Sequence, residues 1–154
     1  MPKEFVMRGQ TASYNPSTGE GGVEVLNFSG YKPGYAYRLI EFQLYPSTNI
    51  IGAHYEMVGS ITAGKTGILP ITPDFNDEAL IATAVVENHE GYAYPISYNS
   101  VVNDTFLITQ NLILMVQNAD SGTPVNWQCK FEAVKMGKAE EAVTNYKQYL
   151  ISDV

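Results

Sequence analysis

Apolar and polar residues alternate at a period of two through most of the chain, a spacing that predicts β-strands rather than helices. The strongest instance is YAYRLIEFQLY, residues 35–45. Ala36, Ile40, Phe42 and Leu44 fall on one face, with Tyr35, Tyr37, Leu39 and Tyr45 beside Glu41 and Gln43 on the other. A strand apolar on one side and half apolar on the other suits the centre of a packed sheet. The remaining segments are read as sheets built around it.

Residues 3–8 are short and β-prone, whereas TASYNPSTGEGG, residues 11–22, gathers turn formers and predicts a loop. β character resumes over residues 23–28, and Pro33 and Gly34 then suit a turn into the 35–45 strand. In residues 54–62, Tyr55, Met57, Gly59 and Ile61 alternate with His54, Glu56, Ser60 and Thr62, Val58 being the exception. Gly64, Gly67, Pro70 and Pro73 interrupt residues 63–77, which read as a long connection. ALIATAVV, residues 79–86, is apolar on both faces and reads as a buried strand, followed by a Gly- and Tyr-rich excursion, NHEGYAYPISYNS, over residues 88–100. Residues 105–118 place Phe106, Ile108, Leu112, Leu114 and Val116 on one face. Residues 125–133 set Val125, Trp127, Cys129, Phe131 and Ala133 against Asn126, Gln128, Lys130 and Glu132.

The period changes only in the tail. In residues 137–150, Ala139, Ala142, Val143, Tyr146 and Leu150 keep to one side at spacings of three and four, and Glu140, Glu141 and Lys147 complement a helix dipole. One amphipathic helix is expected, its apolar side laid on the sandwich or on a neighbouring subunit. With about eight strands, the expectation is an all-β, two-sheet antiparallel sandwich of jelly-roll topology carrying one C-terminal α-helix. The whole chain, residues 1–154, reads as a single domain, with the sandwich in 1–136 and the helix in 137–150.

Charge then narrows the function. Nine Lys and Arg against 16 Asp and Glu give a formal net charge of −7, which repels nucleic-acid phosphates and anionic lipid alike. The first ten residues, MPKEFVMRGQ, offer only Lys3 and Arg8 around Glu4, far from a basic arm. Neither a nucleic-acid partner nor a membrane is expected. A single cysteine, Cys129, allows neither an intrachain disulfide nor a multi-cysteine metal cluster. The start lacks the charged-then-apolar pattern of a secretory signal, so the expected setting is the cytosol, or a particle assembled there.

Candidate chemistry is sparse. GSITAGKT, residues 59–66, fits the phosphate-loop pattern G-x-x-x-x-G-K-[ST] letter for letter. That chemistry needs a helix beginning at Lys65 and Thr66, and the following Gly67, Pro70 and Pro73 forbid one. Glu87, His89 and Glu90 carry groups able to bind a metal or move protons, yet lack a second His beside them. Asp74, Asp77 and Glu78 lack the alternation and Gly of a calcium loop and suit the cap of a helical turn. Cys129 alternates with Trp127 and Phe131 and reads as a core residue. No G-x-S-x-G elbow occurs. The expectation is a protein that is not an enzyme, with no catalytic residues, no metal and no cofactor. Among 11 tyrosines, Tyr92, Tyr94 and Tyr98 cluster beside Gly91 and Pro95. Such rings suit protein contacts or sugar stacking, or merely cover a sheet edge; Tyr146 on the tail helix joins them as a candidate interface residue.

The succession RLIEFQLY, EMVGSITAGKT, ITPDFNDEALIATA, NDTFLITQNLIL and EEAVTNYKQYLISD resembles small β-sandwich virion proteins of marine viruses and phages. The resemblance implies a capsid component located in the virion and assembled in the host cytoplasm, and carries no functional residues with it. Combined with the acidic charge, it implies an outward-facing role: decoration or cement, a minor capsid protein or a vertex subunit. Its partners would then be copies of itself and other capsid proteins. A carbohydrate-binding or host-recognition module is the alternative.

Overall fold

A computed structural model describes residues 3–28, 34–47, 55–64, 70–88, 96–119 and 122–151. Its elements in chain order are β1 (Lys3–Thr11), β2 (Val23–Leu26), β3 (Tyr35–Pro46), β4 (Tyr55–Thr62), β5 (Leu80–Asn88), β6 (Ile96–Val102), β7 (Leu112–Asn118), β8 (Val125–Lys135) and α1 (Lys138–Ile151). The strands form two antiparallel sheets, one in the order β1-β8-β3 and one in the order β2-β7-β4-β5-β6. The chain is therefore an all-β two-sheet sandwich with one C-terminal helix.

Residues 125–133 keep their alternation without a break, and β8 accordingly lies between two partners. Phe131 pairs with Phe5 and Leu39, Cys129 with Met7 and Phe42, and Trp127 with Gly9 and Leu44. The Trp127 ring lies so close over Gly9 that a Cβ there would stand 2.9 Å from ring atom Cζ2, and the indole Nε1 donates to Thr11 Oγ1 at 2.9 Å. A bulky, partly polar ring is thus buried with its N–H satisfied. Phe5, Phe28, Tyr37 and Phe131 form an aromatic cluster at one end of the interlayer space, with ring centroids 5.2–5.5 Å apart. From the other sheet Met57, Ile61, Ala84, Val86, Leu114 and Val116 complete the core. Gly59 permits a close approach of the layers, since a Cβ on it would meet both Leu44 methyls at 3.1 Å.

Four expectations are corrected. The 35–45 segment is not central: β3 is the edge strand of its sheet, and β8 holds the middle. Period-two patterning reports which faces are covered, not which edges are paired. Within β3 the register shifts between Leu39 and Glu41, so Ile40 is an extra residue with no partner on β8. This β-bulge exchanges the faces. Leu39, Phe42 and Leu44 point into the core, Ile40 is only half-buried, and Ala36 is buried outside the main core cluster. The third correction concerns the excursion expected over residues 88–100, whose last part belongs to β6, paired along β5 from Asn88↔Ile96 to Ala82↔Val102. The fourth shortens the strand expected over 105–118: β7 starts at Leu112, and before it only Ile108 forms a bridge, with Tyr37. Ile108 N donates to Tyr37 O at 2.7 Å, and Phe28 N donates to Asn111 Oδ1 at 2.6 Å, so this irregular stretch is pinned by long-range bonds.

A jelly roll divides its eight strands evenly, with the sixth beside the third. Here the division is three and five, because β6 is hydrogen-bonded to β5. Its side chains nevertheless reach β3: Tyr98 Oη and Ser100 Oγ both donate to the Phe42 carbonyl at 2.8 Å.

Candidate interaction surface

The helix α1 follows β8 after the short link Met136–Gly137, where Met136 N donates to Gly34 O at 2.7 Å. Glu140 and Glu141 lie in its first turn, where the helix dipole favours anions. The side turned to the protein body carries Glu141, Thr144, Asn145, Gln148 and Ile151. Gln148 is its anchor: at 1% exposure, its Oε1 accepts from Thr109 N at 2.7 Å and from Thr109 Oγ1 at 3.0 Å. Gln148 Nε2 is buried without a hydrogen-bond partner, a cost on the order of 1–3 kcal/mol for a group of this kind. Ile151 packs against the core cluster.

The apolar side expected to be covered therefore faces away from the chain's own sandwich. Val143 is 69% exposed, Tyr146 66% and Leu150 62%, and Ala139, Ala142 and Tyr149 share this side and are exposed with them. These positions recur at spacings of three and four and form one stripe along the helix. A helix normally buries its apolar stripe and hydrates its polar one, so α1 is reversed with respect to its own domain. Glu140 and Lys147, seven residues apart, flank the stripe along the same edge.

The outer face of the three-stranded sheet has a different character. Lys130 Nζ and Glu4 lie 3.0 Å apart and Arg38 and Glu132 3.9 Å apart. The hydrogen bond to Glu4 raises the Lys130 ammonium above its usual range. Exposed pairs of this sort hold charge in place and contribute little stability.

Of the tyrosines singled out, Tyr92 and Tyr94 lie outside the described residues. Tyr98 sits on β6 46% exposed, its hydroxyl committed to Phe42 O, and its pKa raised, chiefly by burial of the phenol. Tyr146 belongs to the α1 stripe. No ring contact or hydrogen bond joins Tyr98 to Tyr146. Tyr149, absent from the sequence-level candidates, lies on the same stripe; the signal for it was the spacing of three from Tyr146.

The remaining motifs resolve locally. Gly59 to Thr62 lie inside β4, paired to β5 on one side and β7 on the other, and Ala63 N donates to Ala79 O at 2.8 Å. Strand amides engaged this way do not converge on a phosphate. Lys65 and Thr66 lie outside the described residues, as do His54, His89 and Glu90. Asp74 Oδ1 accepts from Asn76 N and Asp77 Oδ1 from Ala79 N, each at 2.9 Å, so these carboxylates shape two successive turns before β5. Among the described residues no three His, Cys, Asp or Glu side chains form a metal-binding group. Cys129 is fully buried, and desolvation pushes its thiol up to about 12, which keeps it protonated and unreactive in the native state. No described helix is long and apolar enough to cross a membrane.

The sequence matches no model of a known protein family, and a search of curated proteins finds none similar to it.

Proposed function

We propose that this chain is a virion structural protein, an outward-facing capsid component such as a decoration or cement protein, a minor capsid protein or a vertex subunit. It acts through contacts with copies of itself and with other capsid proteins. The observation that carries the reading is the solvent-facing apolar stripe of α1, where Val143, Tyr146, Tyr149 and Leu150 lie exposed on one side of a single helix. Monomers rarely leave such a stripe uncovered, because it costs solubility without adding stability. Strand order lends support. Within β1-β8-β3 and β2-β7-β4-β5 the neighbours are those of a jelly roll, an architecture of capsid and lectin domains, with β6 transferred to the second sheet. Shared architecture does not decide function. The net charge of −7 favours a position away from packaged nucleic acid.

The test is immunogold labelling of particles from the culture that encodes the chain, with particle and soluble fractions separated on a density gradient. Label on the outside of intact particles, co-sedimenting with them, is the expected result. Recovery of the chain only in the soluble fraction would overturn the proposal. Glycan recognition is disfavoured at Tyr98, whose hydroxyl already serves Phe42.

A further inference from the structure

Resting on the reading of the chain as a self-associating subunit, we infer that the outward face of α1 is the site of that association. It pairs antiparallel, about a two-fold axis, with the same helix of a second copy. Three observations lead to this occupant.

The first is the pattern of the stripe. Within the stripe, Ala139 and Leu150, and likewise Val143 and Tyr146, lie symmetrically about a point between Thr144 and Asn145, whereas Ala142 and Tyr149 do not mirror each other. Turning a second helix end for end about that point sets Ala139 against Leu150 and Val143 against Tyr146, small against large at these two levels. Such matching lets two helices approach and interdigitate.

The second is charge. A two-fold axis perpendicular to an antiparallel pair brings the same edge of both helices together. Glu140 and Lys147 share one edge, seven residues apart, so Glu140 of each copy reaches Lys147 of the other and two opposite-charge pairs form. The stripe itself carries no charge, so its contact adds no direct like-charge repulsion between two chains of net charge −7. Antiparallel helix dipoles add attraction.

The third is the internal anchoring. The inward side is occupied by Gln148 bonded to Thr109 and by Ile151 packed against the core cluster, so the helix cannot roll to bury its apolar side in its own domain without breaking those contacts. The stripe is held out for something else.

Area sets the strength. A helix of 14 residues presents a face about 21 Å long, and a helix pair alone buries less than the roughly 800 Å² per partner of a stable complex. The dimer is therefore a weak one in solution, and it gains when many copies are tethered on a common surface.

The experiment uses the full chain. Sedimentation velocity over a concentration series should show a reversible monomer–dimer equilibrium. Val143→Glu with Leu150→Glu should weaken it by roughly tenfold or more while the circular dichroism spectrum and melting midpoint stay unchanged. Glu140→Lys alone and Lys147→Glu alone should each weaken dimerisation by about two- to tenfold, and the two together should restore it. Orientation is read by cross-linking. Tyr146→Cys near the two-fold axis should form an intermolecular disulfide under mild oxidation. Ala139→Cys, separated from its copy by about 16 Å along an antiparallel pair, should not. Linkage of both variants would overturn the antiparallel arrangement. A wild-type chain that stays monomeric at every concentration, whether or not it floats with zwitterionic phosphatidylcholine vesicles, would overturn self-pairing. So would a dimer indifferent to the Glu substitutions. Label on particles together with an unaffected dimer would sink only this interface and leave the structural role standing, whereas loss of particle label would sink the role itself.

Discussion

Two glycines in one loop offer a controlled measurement of how tightly the 11–22 segment is locked onto the sandwich. Gly19 has φ +72° and open space around the position of a Cβ, whereas Gly22 has φ +73° and almost none. A Cβ on Gly22 would stand 2.5 Å from Tyr14 Cβ, 2.6 Å from Tyr14 N and 2.6 Å from Val116 O. Those are the atoms of the Tyr14 N→Val116 O bond at 2.9 Å, and Gly22 O in turn accepts from Val116 N at 2.8 Å. Alanine at Gly19 meets only the left-handed backbone penalty of about 1–2 kcal/mol, partly offset by reduced freedom of the unfolded chain. Alanine at Gly22 meets the same penalty, and must also displace backbone at about 1–3 kcal/mol and weaken a hydrogen bond worth about 1 kcal/mol. Gly22→Ala should therefore destabilise by about 2–4 kcal/mol more than Gly19→Ala. Urea unfolding followed by the fluorescence of Trp127, the sole tryptophan and a buried one, measures both at low protein concentration. Equal midpoints for the two variants would refute the claim that this loop is pressed against β7.

Leu39→Ala should cost about 2–5 kcal/mol and Ile40→Ala much less, since the bulge turns Ile40 out of the core; the reverse ranking in denaturant titrations would show unbroken alternation. Cys129 should resist thiol reagents until the protein unfolds. Burial pushes its folded thiol up to about 12 from the ordinary 9.0, so its contribution is complete below about pH 9 and is lost as pH rises towards 12. Alkaline unfolding curves of wild type and Cys129→Ala should diverge in that window, and parallel curves would contradict the burial. Tyr98→Phe and Ser100→Ala should each be mild because the other hydroxyl still serves Phe42 O, while the double variant should cost more than the sum; strict additivity in a double-mutant cycle would deny the shared acceptor.

Legibility in the sequence followed the physics of each element. The 125–133 alternation translated directly into β8, because a strand between two partners with one face on the core has a single pattern to satisfy. The bulge at Ile40 was invisible: either parity of 35–45 offers a plausible apolar face, and only pairing with β8 chooses. β6 was hidden because Tyr98 and Ser100 point polar atoms at another strand's backbone, a use that binary patterning scores as surface. For α1 the periodicity correctly located the helix and its stripe, but patterning assumes that apolar sides turn inward. What turns this one outward is a single glutamine whose oxygen matches two donors of Thr109. The capping use of the Asp74 and Asp77 carboxylates was readable from composition, but they cap non-helical turns and not the helical turn expected, because each accepts from an amide two residues on with no helix following. The tyrosine cluster was a compositional signal whose one described member, Tyr98, is half consumed by structure.

The two hydroxyls that converge on Phe42 have a mechanical consequence. They stitch one layer of the sandwich to the other at the open rim of β3, so that sliding the sheets past each other along the strands must tear both seams together. Oxygen lone pairs satisfied from within are also closed to a foreign strand seeking to zip onto that rim, which steers growth of any larger object away from fibre-like stacking.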